Sequence, residues 1–333
     1  MERHQVPLYL AALLAGAGVG LGVPAVAAPA GLAVTPVLGL LLYATFLAVP
    51  FRQLGGALRE PRFLVTVLLV NFVLVPVVAF GLSRFVAQDR VLEVGVLFVL
   101  LTPCVDYVIV FTRLAGGAAD RLLAATPLLM LLQLLLLPVY LRLMVGEQFA
   151  RVVELGPFVR AFVVLIALPG LAAWLTQLAA ARWRAGRVLQ QGGAAGMVPL
   201  MMATLAVVVA SQMHDVGAHL GGLVTVVPVL VGFAAVMVVL GAAAGRVAGL
   251  TAQDRRAVVF SGVTRNSLVV LPLVLALPAG FGLAPLVVVT QTLVELVVMV
   301  ALVRWLTTRA GAWRARGGRP RRGPSGAGPG RGG

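Results

Sequence analysis

Apolar stretches close to the length of a membrane crossing follow one another almost without pause along this chain, and no other feature constrains its fold as strongly. A helix needs about 20 residues to cross roughly 30 Å of hydrocarbon. Ten such segments can be read, at about 6–28, 34–51, 62–86, 91–113, 119–144, 156–180, 196–213, 220–245, 256–278 and 283–305. Only 11% of the residues are charged, against about 25% in ordinary soluble domains. That share, with a mean hydropathy of +1.05, leaves no room for a separate soluble domain. Backbone polar groups find no water in hydrocarbon, so spans of this length are predicted to be helical. The expected fold class is an all-α polytopic membrane protein of ten transmembrane helices.

The net charge of +15 comes from 26 basic residues, all of them arginine, against 11 acids. Without lysine, Schiff-base chemistry and a Walker A phosphate loop are excluded. Eight arginines fall between Arg304 and Arg331 in a Gly/Pro-rich stretch, which predicts a disordered basic cytoplasmic tail over 310–333. The basic balance therefore reads as topology and tail, not as a nucleic-acid footprint. Alternate connections carry Arg52, Arg59, Arg62, Arg113, Arg121, Arg182, Arg184, Arg187, Arg246, Arg255 and Arg256, whereas the arginines of the other side are offset by Asp89, Glu93, Glu147 and Glu154. This bias predicts both termini in the cytoplasm of a bacterial-type inner or plasma membrane. The N-terminal apolar run has the make-up of a secretory signal but is read as a retained first helix, because so many spans follow.

Ten helices divide into five and five, and an odd number per half places the halves upside down relative to each other. The expected domain is a single transporter unit over 1–309, with repeats at about 6–145 and 156–309. "YATFLAV", from Tyr43, resembles "MATLAVV", from Met202, at an offset of 159, and Pro127–Gln133 returns as Pro285–Gln291 at an offset of 158. At the offset of 159, Asp106 falls on Arg265.

Two segments carry features that break a helix. In the fourth, Thr102-Pro103 removes an amide donor; in the ninth, "SGVTRNSLVVLP" puts Gly262, Thr264, Arg265, Asn266 and Ser267 inside a span. Interruptions at corresponding places in inverted halves point to a substrate site near the midplane. Discontinuous helices 4 and 9 are therefore predicted to cross there. Each charge inside a span costs at least about 2.5–3.5 kcal/mol and needs a partner or a role. Asp106 and Arg265 are expected to pair, either as a structural salt bridge or as a proton or ion relay. Glu295 follows Gln291 by four residues and shares its helix face; Gln133 takes the equivalent place in the fifth segment. With Asn71, these residues either line a polar cavity or make ordinary amide bonds between helices. Cys104 is either a small buried hydrophobe or a soft ligand facing the cavity. One sulfur makes no closed metal site, and His4, His214 and His219 form no metal pattern. Neither H-E-x-x-H nor G-x-S-x-G occurs; neither an enzyme nor a cofactor is expected.

The stretch "TPCVDYVIVFTRLAGGAADRLLAATPLLMLLQ", taken with "SGVTRNSLVVLPLVLALP", resembles the bile acid:sodium symporter superfamily, and within it the arsenical-resistance permeases. That resemblance implies a secondary transporter with a core and a panel domain, whose fourth and ninth helices unwind where they cross. It implies Cys104 as the metalloid contact and matches Asn266 and Ser267 to the Asn-Ser of sodium-coupled members. Arg265 stands where those members have Gln and Ser261 where they have Glu, so the usual sodium ligands are replaced. Leu268 and Val269 stand where the arsenite branch places an acid. The expected activity is arsenite or antimonite efflux coupled to protons. Cys104, Thr102, Arg265, Asn266 and Ser267 would line the substrate site; Asp106, Arg265 and Glu295 would couple it; Asn71, Gln133 and Gln291 would make its polar wall. The alternative is an organic-anion carrier, bile acid-like or carboxylate, coupled to sodium or protons, with Arg265 as the anion clamp. A passive channel or a membrane scaffold is the reading from another class.

Overall fold

The structure is a computed structural model that describes residues 5–48, 60–105, 107–146, 160 and 163–317. Its elements are α1 (Gln5–Gly22), α2 (Ala27–Ala48), α3 (Pro61–Val86), α4 (Arg90–Leu100), α5 (Tyr107–Leu114) and α6 (Ala119–Val145), followed by α7 (Leu168–Arg182), α8 (Arg184–Val247), α9 (Ala252–Val263), α10 (Ser267–Leu275) and α11 (Ala284–Gly317). Among the described residues there is no β-strand. The protein is an all-α polytopic membrane protein.

Among the described residues, five stretches are long and apolar enough to cross a bilayer unbroken: Ala28–Leu47, Pro61–Val86, Ala119–Val145, Val224–Val247 and Ala284–Leu306. The elements predicted to be broken are absent from that set for a physical reason. At 1.5 Å per residue, α4 and α9, of 11 and 12 residues, reach only about half the hydrocarbon thickness. Leu32, Val77, Leu135, Val239 and Val297 are among the many large apolar side chains on the outer surface. Such exposure suits lipid, not water.

Two boundaries differ from the sequence reading. Pro29 and Gly31, expected between the first two spans, lie inside α2, and the turn comes earlier, at Pro24–Val26. The loop expected between 213 and 220 is also missing, because helical bonding runs unbroken from Arg184 to Val247. Polar residues mark where a chain meets water, whereas a helix ends where its hydrogen bonding stops, and no proline falls between Pro199 and Pro228. This long element bends by 47° between Arg184–Gly193 and Val198–Ser211. Its part up to Ser211 packs on α1 and α2, with Gly16 against Ala206 and Gly193 against Leu47; its part from Gly222 onward packs on α4 and α9, with Gly222 against Leu92 and Gly241 against Val259. Helix α11 continues past the predicted end at 305 to Gly317, and residues 318–333 of the expected tail lie outside the described residues.

The half-helices begin alike. Asp89 caps α4 by accepting from the amides of Val91 and Leu92, and Thr251 caps α9 by accepting from Asp254 N. Each first turn holds a buried acid. Glu93 meets Arg84 at 2.8 Å and Arg90 at 3.4 Å; Asp254 accepts from Arg121 at 2.9 and 3.0 Å and from the Thr251 hydroxyl at 2.7 Å. Both acids lie near the predicted segment ends and are almost fully buried. An acid in the first turn also complements the positive end of its helix.

A Cβ on Gly16 would lie 2.5 Å from the Ala206 carbonyl oxygen, whereas one on Gly18 meets nothing within 4 Å. Gly16→Val is expected to lower the melting temperature in detergent, by a destabilisation of about 1–3 kcal/mol from overpacking. Gly18→Val should leave it unchanged. Thermal unfolding of the two variants in parallel checks this.

Candidate functional site

The sequence breaks α4 from α5 at Thr102-Pro103 and α9 from α10 at Thr264–Asn266, and the two breaks pair with each other. Pro103 and Arg265 form an antiparallel bridge. Cys104 N donates to Thr264 O at 3.3 Å, and Asn266 N donates to Thr102 O at 2.7 Å. Backbone groups freed by unwinding thus satisfy one another across the crossing, as burial in hydrocarbon requires. Because the bridge is antiparallel, α4 and α9 approach it from opposite ends of the bundle, as two inverted halves would.

Helices α4 and α9 both end at this crossing, so their last carbonyls converge. A helix C-terminus carries about half an elementary negative charge, and its final carbonyls have no partner within the helix. The Arg265 guanidinium lies among them. Its Nη1 donates to Leu100 O at 3.2 Å; its Nη2 donates to Ser261 O at 2.7 Å, Gly262 O at 2.9 Å and Asn71 Oδ1 at 3.0 Å. The ring of Phe233, on α8, lies 5.5 Å from the guanidinium carbon, in range for a cation–π contact. Arg265 is wholly buried, and this shell is what makes its charge tolerable there.

Asn71 reaches Arg265 from a π-helical turn, Val70–Leu74, inside α3. Its Nδ2 donates to Ser261 Oγ at 2.8 Å and Val67 O at 2.9 Å. The widened turn also leaves Phe72 O to accept from the Tyr140 hydroxyl of α6 at 2.6 Å. Single π turns within α-helices are frequent at functional sites.

On the other side of the break, Glu295 Oε2 accepts from the Arg265 amide at 2.9 Å and from the Gln291 side chain. Gln291 Oε1 in turn accepts from Ser267 Oγ. Asn266 Oδ1 caps α10 by accepting from Val269 N at 3.2 Å, while its Nδ2 is buried with no partner. The adjoining cavity, between α4, α8, α9 and α11, has a volume of about 10 Å³ and is lined by Leu100, Phe233, Val263, Gln291 and Glu295 among others. That is room for about one water molecule.

The residues singled out in the sequence therefore divide. Arg265, Ser267, Gln291, Glu295 and Asn71 form one hydrogen-bonded network, and Asn266 joins the crossing through its amide to Thr102 O. Cys104 sits in the crossing itself, buried. Thr102 contributes its carbonyl, because its hydroxyl donates back to Phe98 O at 2.9 Å. Gln133 is buried on α6 with neither amide atom partnered, outside the bonded network. Asp106 lies outside the described residues, so its expected pairing with Arg265 does too. Ser261 and Phe233 were not foreseen as contacts. Ser261 enters chiefly through its backbone carbonyl, which carries no sequence signal, and a lone Phe in an apolar helix carries none either.

The model of the sodium bile acid symporter family matches residues 35–219, more than half of the chain. The chain belongs to the sodium bile acid symporter family. The match runs from α2 into α8, and so includes the first broken helix of this family member but not Arg265, Asn266, Ser267, Gln291 or Glu295. No curated protein matches it. The chain is thus a multi-pass membrane protein of a transporter family, with a broken-helix crossing at its centre.

Asn71→Leu removes an acceptor from a buried cation and a donor from Ser261. It is expected to destabilise the protein by about 1–3 kcal/mol, read as a lower unfolding midpoint in detergent.

Proposed function

We propose that this chain is a secondary active carrier that exports arsenite, and antimonite with it, driven by protons and not by sodium. The observation that carries this reading is the fate of Arg265. Both terminal nitrogens of its guanidinium are committed to carbonyl and amide oxygens, so no planar fork faces outward to hold a carboxylate or sulfonate. A positive charge is already fixed at the crossing, which removes the need for a sodium ion there. What remains on offer is a thiol, hydroxyl and amide lining. Cys104 is held in the crossing by its own backbone, and soft sulfur suits a soft metalloid.

In this reading Cys104, Asn266 and Ser267 contact the substrate, with Thr102 shaping the backbone between them. Glu295 joins Asp106 and Arg265 in coupling, since a carboxylate that accepts from the Arg265 amide and the Gln291 side chain changes both contacts when it takes up a proton. Asn71 and Gln291 form the polar wall, and Gln133, buried with unspent hydrogen-bonding capacity, awaits a partner in an open state. Rocking one bundle against the other about the crossing would give alternating access. Ten spans, inverted repeats over about 6–145 and 156–309, and cytoplasmic termini in a bacterial inner membrane complete the proposal. The family's name favours a second reading, an organic-anion carrier coupled to sodium.

Expression in an arsenite-sensitive bacterium separates the two. The wild-type chain is expected to restore growth on arsenite and Cys104→Ser to abolish that protection; full protection by Cys104→Ser rejects metalloid contact at the thiol. Glu295→Gln should leave arsenite flux into everted vesicles indifferent to an imposed pH gradient, whereas wild-type flux follows the gradient. Taurocholate uptake that rises with external sodium would select the second reading.

A further inference from the structure

We infer that the elbow between α7 and α8 is a docking surface for an anionic phospholipid, with the headgroup on Arg182, Arg184 and Arg187 and the acyl chains along α7. Helix α7 ends at Arg182 and α8 starts at Arg184, with Trp183 alone between them in an extended conformation (φ −122°, ψ 145°). The elbow is tight because residue 186 is glycine: a Cβ there would fall 2.4 Å from Ala180 N. The last turn of α7, which carries Arg182, and the first turn of α8, which carries Arg184 and Arg187, therefore share one small surface.

The fold itself does not account for three cations at this place. All three are exposed, and none pairs with a carboxylate among the described residues. No acid occurs anywhere between Glu154 and Asp215. At the start of α8 the helix dipole disfavours added positive charge, whereas Arg246, in the last turn of the same helix, sits where the dipole favours it. The charge at the elbow is thus left to be balanced from outside the chain.

The apolar part of the same surface identifies what carries the balancing charge. Leu171, Leu175 and Leu178 are exposed and form with Arg182 a stripe at i, i+4, i+7 and i+11 along α7, apolar for its length and cationic at its end. Trp183 and Val188 are each 67% exposed, and Leu189 is exposed beside them. Arginines flanked by an outward Trp and aliphatic side chains are the make-up of a segment at the bilayer interface. A guanidinium fork matches a phosphate group, and arginine clusters next to a span attract anionic headgroups. A soluble phosphate would use the arginines and leave the leucine stripe and Trp183 without a role. The elbow opens the section Arg184–Gly193, which meets Val198–Ser211 at 47°, so a bound headgroup holds the short arm of that bend at the bilayer surface.

The test uses the full chain in detergent micelles doped with phosphatidylglycerol or, at the same mole fraction, phosphatidylcholine. Native mass spectrometry reads the lipid retained, and thermal unfolding reads its effect. Wild-type protein is expected to retain phosphatidylglycerol at least about tenfold over phosphatidylcholine, given three arginines. It should also melt at least about 3 °C higher with phosphatidylglycerol, as binding to the folded state alone requires. The combined change Arg182→Gln, Arg184→Gln and Arg187→Gln should lose both effects, the same three changes to Lys should keep both, and Arg246→Gln should leave both as in wild type. Equal retention of the two lipids by wild-type protein overturns the site, and this comparison needs no variant to fold. An undiminished preference in the Gln variant, or the same loss in Arg246→Gln, overturns it too. Inorganic phosphate that raises the wild-type melting temperature as far as phosphatidylglycerol does overturns the lipid assignment. Neither lipid is the transported substrate, so the result stands or falls independently of the arsenite reading.

Discussion

Two helix ends of like partial charge meet at the centre of this protein, and a single guanidinium holds them there. Convergent C-termini repel each other, and their last carbonyls have lost their helical partners. In hydrocarbon neither problem can be referred to water. Arg265 resolves both by donating to carbonyls from each helix, with Asn71 and Phe233 completing its shell. The short antiparallel bridge between Pro103 and Arg265 then satisfies much of the unwound backbone. The guanidinium and the bridge together hold the crossing and the small cavity beside it.

Much of the crossing was legible in the sequence, because proline and clustered polar residues are conspicuous in an apolar span. Thr102-Pro103 and the Gly262–Ser267 run mark both breaks, and the break residues do meet. The surroundings of Arg265 were less legible. Charge pattern pointed to Asp106, which lies outside the described residues, and three of the described contacts are to backbone carbonyls, which every residue possesses and which therefore leave no mark in sequence. Asn71 was visible as a polar residue in a span, yet the π turn that aims it was not.

Acids near the segment ends are enclosed for a related reason. Glu93 and Asp254 occupy positions where a carboxylate ordinarily meets headgroups and water. Here each is enclosed and paired with arginine, because the half-helices that carry them are packed on all sides by full-length spans. A broken helix has to be buried along its length, since its exposed carbonyls tolerate no lipid. Burial of the break therefore pulls the first turns of α4 and α9 inward with it.

The Tyr140 hydroxyl bond to Phe72 O has a further bearing on how the molecule could move. It fastens α6 to the widened turn of α3 partway along both helices, while Arg121 fastens α6 to Asp254 of α9 and to Glu60, the residue just before α3. Two clamps thus tie α6 to α3, and one ties it to α9. Helices α1, α2 and α7 pack chiefly on α8 and on one another, so a movement of one group against the other would pass through α8, whose bend lies near Gly193.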